Sequence, residues 1–293
     1  MDKNLDKKEK EIKFSYQVLN LKLLSNERKG DEAYQNIIET IYNKSIKEII
    51  PRGKVVIIRN QFKKVIKGKT ILYGKISRFS NRESDDWINL STKEIEHPKF
   101  DPNLFPNLQE TDYVFVPSAH RFIIKKTPNF SIYNAEDFFN KAILEVIDNK
   151  EDYTVIVEQS IDIFEEIYNA RSVEKLNISI SYTNSDDISE DAAAWMDEQL
   201  KSAQLKKANF SFEANQTDSI NLETPLIKGA LDLAAENGEA TATIVDNFDK
   251  KIKVVTREHP KVITTTAKNE DEIKNVIFTE VMKQYRNNGN NEQ

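Results

Sequence analysis

Seven glycines and no cysteine among 293 residues narrow what this chain can become. Without cysteine there is no disulfide staple, no thiolate nucleophile, no iron–sulfur cluster and no cysteine-based zinc site. Stability must then come from apolar burial and hydrogen bonding. The length suits one large or two modest domains, each with its own core. Scarce glycine excludes more. There is no GxxxxGKS or GxxxxGKT loop, no GxGxxG following a strand and no GxSxG elbow, so no P-loop NTPase, Rossmann cofactor domain or serine hydrolase is signalled. Charged residues make up 31% of the chain and mean hydropathy is −0.60, a water-compatible balance. No run of 18 apolar residues is long enough to span a membrane, and Met1–Lys13 lacks the apolar stretch of a secretory signal. A bacterial, cytoplasmic protein is expected.

Periodicity supplies the elements. Ile12–Leu24 reads as a strand and Asp31–Ile46 carries apolar residues at helical spacing. Lys54–Asn60 and Thr70–Phe79 are β-rich runs joined through lysines and Gly68, and Trp87–Leu90 adds a short strand. The three prolines of Pro98–Asn107 suggest a domain boundary. Beyond it, strands are expected at Tyr113–Val116, Arg121–Lys125, Tyr153–Glu158, Leu176–Thr183 and Ala208–Phe212. Helices are expected at Ala135–Asp148 with Asn134 as cap, Ile161–Ala170, and Glu190–Ser202 with Ser189 as cap. Thr224-Pro225 starts a further helix, which Asn237-Gly238 ends. A hairpin then joins Ala240–Val245 to Lys251–Thr256, and Asp271–Arg286 is helical. Setting the short helix aside, the order from Arg121 to Phe212 is the split βαβ order. The expected fold is α+β: a strand-helix-strand region over 12–107 and a ferredoxin-like region over 108–286, with disordered ends at 1–11 and 287–293.

Net charge conceals the chain's most directional feature. Arg52, Lys54, Arg59, Lys63, Lys64, Lys67, Lys69, Lys75, Arg78 and Arg82 fall in one stretch without a single carboxylate. That stretch is +10, and since the total is −6 the remaining residues sum to −16. Phe62, Tyr73 and Phe79 are interleaved. Cations neutralise phosphates and aromatic rings stack on unpaired bases, so Arg59, Lys63, Lys64, Lys67, Lys69, Tyr73, Lys75 and Arg78 are the candidate nucleic-acid contacts. Two plainer uses compete: lysines that guard a sheet edge, and a salt-bridge surface against the acidic remainder, within or between chains.

Several blocks carry a resemblance. FSYQVLNLKLL, YGKISRF with DDWINL, VFVPSAHRFIIKK, LNISISYTNSDDISE, the helix stop Ala234-Ala235-Glu236-Asn237-Gly238 and Thr256-Arg257-Glu258-His259-Pro260 resemble the bacterial domain of unknown function family 4747 over roughly residues 12 to 267. Where that family usually has PNPDD, this chain has Thr183-Asn184-Ser185-Asp186-Asp187. The resemblance implies an accessory protein of mobile elements or defence loci. It brings no active site.

Catalytic candidates are sparse. His120 on a turn, with Arg121 beside it, has the residue types of a general base and a phosphate-oxyanion partner; a locally satisfied hairpin is the plainer reading. Asp85 and Asp86 follow the ribbon, where a metal-dependent nuclease would hold Mg²⁺, but the usual acid-x-lysine strand is missing. Asp186 and Asp187 suit a helix start. Glu96-His97 and Glu258-His259 precede prolines and read as element ends, and Trp195 and Met196 as core or interface. No cofactor is indicated otherwise. The expected function is nucleic-acid binding through the ribbon. The alternatives are a nuclease effector, or an adaptor that docks an acidic surface, a neighbouring gene's product or another copy of itself.

Overall fold

The structure is a computed structural model that describes residues 11–25, 27–81, 86–97, 101, 103–181, 192–215 and 218–286. The expected disordered ends, apart from Glu11, and Asp85, Asp186, Asp187 and Ser189 lie outside the described residues. In chain order the elements begin with β1 (Ile12–Leu24), α1 (Gly30–Asn43), β2 (Lys47–Ile50), β3 (Lys54–Ile66), β4 (Lys69–Ser80), β5 (Trp87–Ile88) and β6 (Ile95–Glu96). There follow β7 (Gln109–Val116), β8 (Arg121–Lys125), α2 (Ile132–Ala142), β9 (Asp152–Val157), α3 (Ile161–Tyr168) and β10 (Ser172–Ile180). The last are α4 (Ala192–Ser202), β11 (Ala208–Glu213), α5 (Pro225–Asn237), β12 (Gly238–Val245), β13 (Lys251–Val255), β14 (Val262–Ala267) and α6 (Glu270–Arg286).

The larger sheet is antiparallel, in the order β14-β1-β8-β7-β4-β3-β2, with β9 beside the second half of β1. Its central strands β1, β8, β7 and β4 are covered on both faces, which is why they are rich in Val, Ile, Leu and aromatics at successive positions. Leu19, Leu72, Ile76, Phe115 and Phe122 face α1 and α2, while Val18, Ile71, Val114 and Ile123 face α6. Helix α1 meets the sheet with Tyr34, Ile37, Ile38 and Ile41, the i, i+3, i+4, i+7 stripe. Helix α2 adds Phe138 and Phe139, both fully buried and edge-on to each other. Each large apolar side chain buried this way contributes roughly 1.5–3 kcal/mol. The cap of α2 differs from expectation: Ser131 caps it, and Asn134 is the third helical residue, accepting from Ser131 N in a reciprocal capping box. The helix thus starts one turn earlier than its acidic residues suggest.

A second sheet, β11-β10-β12-β13, carries α3, α4 and α5 and encloses a separate core around Leu176, Ile178, Leu200, Leu231 and Ile244. The mixed helix and sheet composition follows expectation; the ferredoxin-like grouping does not. Strands β8 and β9 both pair with β1, whereas β10 and β11 pair with each other elsewhere, so the four strands never share one sheet. Each sheet contains its own split β-α-β crossing. Because β8 and β9 are both antiparallel to β1, they are parallel to each other with β1 between them, and β11 and β12 flank β10 likewise.

The proline-rich segment is not a boundary between units. Strands β4 and β7, on either side of it, pair from Leu72↔Phe115 to Arg78↔Gln109. The division falls instead at Gln159 and Pro260, which form a bridge; Ser160 N donates to His259 O and Lys261 N to Glu158 O. The small-sheet unit is therefore inserted between β9 and β14 of the large one. A reading along the chain that looks for one linker cannot find a unit whose two ends lie side by side.

Candidate nucleic-acid interface

The basic ribbon folds as the β3–β4 hairpin next to one margin of the larger sheet: β4 pairs with β7, whereas β2 covers only Lys54–Ile57 of β3, so β3 beyond Ile57 is an edge. Its turn is Lys67-Gly68, with φ of 49° and 76°. Two consecutive positive values are what a tight hairpin of right-handed twist requires, and Gly68 meets that need without steric cost. One extra residue, Arg59, interrupts the ladder between Ile58 and Asn60. Asn60 Oδ1 accepts from Lys75 N at 2.7 Å and secures the bulge.

Alternation distributes the ribbon's cations over both faces and towards carboxylates. Lys63 Nζ lies 3.4 Å from Glu39 and Lys69 Nζ 2.7 Å from Asp31, tying the hairpin to α1. Arg78 donates to Asn134 Oδ1 and Asn129 O, each at 2.8 Å, beside α2. Arg59 pairs with Glu110, and Lys75 Nζ sits 2.9 Å from Glu110 and 3.5 Å from Asp112. The Lys75 hydrogen bond holds the Glu110 carboxyl below its usual range, and the same bond raises Lys75. Lys67 is exposed in the turn, and Lys64 contributes weakly, after Lys274, to keeping Asp271 ionised. Arg82 lies outside the described residues.

One side of the hairpin retains an open groove. Beside the first turns of α6, Phe14, Tyr16, Phe62, Tyr73, Lys75 and Lys125 line a cleft of about 240 Å³. Phe62 is 54% exposed, and its ring centroid is 5.6 Å from that of Tyr73. Lys274 lies 4.6 Å from the Tyr73 centroid and Lys125 5.3 Å from that of Phe14. Lys274 and Lys125 lie over the Tyr73 and Phe14 rings, so the exposed Phe62 ring is the face on which a flat base can stack, with ammonium groups nearby to meet its phosphate. Asp112 also reaches Lys125 Nζ, at 3.3 Å, so the groove is partly self-neutralised.

The catalytic candidates separate. His120 takes a left-handed backbone with φ of 56°, and its ring stacks on Tyr34 at 3.9 Å. Arg121, the next residue, points to the opposite face: it pairs with Glu158, donates to Asn20 Oδ1 at 3.0 Å and lies under the Tyr285 ring. A base and an oxyanion partner on opposite faces of the sheet do not converge on one substrate atom. Asp86 is exposed beside β5. Among the described residues, no three His, Asp or Glu side chains form a group able to hold a metal ion.

Arg121 belongs to a buried polar seam where the two units meet, which sequence reasoning did not find. Glu158, fully buried, accepts from Lys261 Nζ at 3.2 Å and from the Tyr285 hydroxyl at 2.5 Å. Asn20 Nδ2 donates to Asn237 Oδ1 at 3.3 Å, and Lys22 Nζ to Ser181 Oγ at 3.4 Å. Burial, then the nearby Arg121 charge, lowers Lys22 to about 7. A signal was present: on the α6 face of β1, apolar Phe14, Tyr16 and Val18 give way to Asn20 and Lys22.

A family model described as a domain of unknown function (DUF4747) matches residues 12–283. No curated protein matches the chain.

Proposed function

The chain belongs to the DUF4747 family, and on that premise we propose that it is a binding protein that engages single-stranded nucleic acid on the α6 side of its β3–β4 ribbon. The observation that carries this reading is the exposed Phe62 ring beside Tyr73, in a groove edged by Lys75, Lys125 and Lys274. Phe62, backed by Tyr73, would stack a base, Lys64 and Lys67 would meet phosphates, and the cations already held by Glu39, Asp31 and Glu110 would position the hairpin. A binder rather than a catalyst also fits the accessory role in defence or mobile elements that the sequence blocks imply.

The test is titration with labelled single-stranded RNA, single-stranded DNA and duplex DNA at two salt concentrations. Phe62→Ala should weaken single-strand binding by about 5- to 150-fold, the equivalent of about 1–3 kcal/mol per stacked base. Replacing Lys64 and Lys67 together by Ala should reduce the log–log salt slope by about 1.4, the share of two phosphates. Salt-insensitive binding, or affinity unchanged in Phe62→Ala, would remove the proposal.

A second reading, a protein-docking adaptor, is favoured by one observation: Ile88, Leu90 and Ile95 around the β5–β6 pair are 60%, 76% and 64% exposed. A sedimentation mass above the monomer, lost in Ile88→Asp, would bring it forward.

A further inference from the structure

The pairing of β2 with β3 runs from Ile50↔Lys54 to Lys47↔Ile57 and stops, and among the described residues no other strand continues it. Which backbone groups of β3 are left over follows from the hairpin turn. Ile66 and Lys69 flank the two-residue turn Lys67-Gly68, so they form the hydrogen-bonded pair that closes it. Such pairs alternate along an antiparallel ladder. Ile66, Lys64 and Phe62 therefore turn their N–H and C=O towards β4, and Val65, Lys63 and Gln61 turn theirs to the open edge. Among the described residues nothing hydrogen-bonds to these outward backbone groups.

The side chains of this edge are of two kinds. Val65 is 63% exposed and Phe62 54%, so apolar surface is displayed at the edge. Arg59, Lys63, Lys64 and Lys67 add four cations, with no carboxylate between them in the chain. Arg59 is taken by Glu110, and Lys63 makes a half-exposed contact with Glu39, but Lys64 and Lys67 form no ion pair among the described residues. Lysines on an open strand ordinarily guard it against pairing. A guard of one sign is selective. A second copy would bring the same cations against these, and like charges placed opposite each other are destabilising. A strand carrying carboxylates at those positions is attracted instead.

We propose that the open edge of β3 binds an extended acidic segment of a partner protein, which joins the larger sheet as an added strand where β2 stops. The backbone of that segment completes the ladder with Gln61, Lys63 and Val65. Alternation specifies its side chains. Lys63 lies on the α1 face beside Glu39, and Lys64 on the α6 face, where it acts on Asp271. Carboxylates opposite these two lysines and apolar residues opposite Phe62 and Val65 give the order apolar-acidic-acidic-apolar. The inference does not rest on nucleic-acid binding in the α6-side groove. A nucleic acid can neutralise lysines, but it has no row of alternating amides to match the edge.

The test uses the full chain and a fluorescent peptide made of two valine-glutamate-glutamate-valine repeats, read by anisotropy. Binding should saturate, and the same peptide with lysine for glutamate should not bind. Two further peptides carry N-methyl groups at alternate amides, in opposite phase. One should bind like the parent, and the other, methylated on the amides that face β3, at least about tenfold more weakly for its lost hydrogen bonds. Val65→Pro removes an outward N–H and no bond to β4, so the protein should stay folded and lose affinity at least about tenfold. Lys63→Glu with Lys64→Glu keeps every backbone group and should reverse the preference, admitting the lysine peptide and refusing the glutamate one. No saturable binding, equal binding of the two methylated peptides, undiminished affinity in a folded Val65→Pro protein, or an unchanged preference in the double variant would each overturn the assignment.

Discussion

Lys22 shows how far position outweighs residue type. In water its ammonium keeps its proton to about pH 10.4. Buried beside Arg121, it is lowered to about 7 despite Asp197, Glu236 and Glu158 nearby. The unfolded chain then holds a proton that the folded chain has released, so stability rises with pH between about 7 and 10.4; below 7 the whole penalty is present. We expect Tm to increase from pH 7 to about pH 9, and Lys22→Met to flatten that increase. The comparison should stop short of pH 10, where Tyr113 and Tyr285, whose phenols burial pushes up, act in the opposite direction. Glu158 has the reverse sign. Burial opposes its charge, but Arg121 and Lys261 prevail and lower it, so its contribution is present above the ordinary glutamate range and fades as pH falls. Glu158→Gln removes the closer and fully buried of the two carboxylates on Arg121, leaving Glu236 at 3.6 Å, and should cost about 3–5 kcal/mol in urea unfolding at neutral pH.

Among elements, helix α5 packs against α4 through Gly229. A Cβ there would lie 2.2 Å from Ala192 O, a backbone atom that can yield only if the helices separate. Alanine would gain about 1 kcal/mol of helix propensity, yet overpacking typically costs more. Gly229→Ala should therefore lower stability by a net amount of up to about 2 kcal/mol, read as a lower Tm with unchanged far-ultraviolet dichroism at low temperature. The β3–β4 hairpin offers the complementary case. Its charge was evident from composition, but which cations serve the helices and which face the groove depends on the Arg59 bulge, because one extra residue exchanges the faces. Lys63 and Lys69 consequently tie the hairpin to α1, a use that counting charges cannot separate from phosphate binding.

At the scale of the whole molecule, the inserted unit makes a direct prediction. Its core is drawn from Ile163 to Val254, with no residue contributed by the larger sheet. Residues 160–259 expressed alone should melt cooperatively, with near-ultraviolet dichroism of packed aromatics. Because its ends meet at the Gln159–Pro260 bridge, a short glycine-serine linker in its place should leave the larger sheet folded. A molten fragment would show that the unit depends on the polar seam for its order.

The sequence by itself determined the mixed composition, nearly every element and the location of the basic ribbon, because period and charge are local properties. Strand β1 was legible to its ends, as were β8 and the Thr224-Pro225 start of α5. Strands β2 and β14 were not, being short segments that acquire their meaning from a neighbour. What only the tertiary structure decided was pairing. It chose β1 as the partner of β8, β9 and β14, inserted one unit into another, and moved Arg121 from a supposed site to a buried ion pair. It also left β3 an open edge beyond Ile57. The reason is physical: alternation says that a strand buries a face, but the choice of neighbour rests on contacts between residues far apart in the chain, which no local pattern encodes.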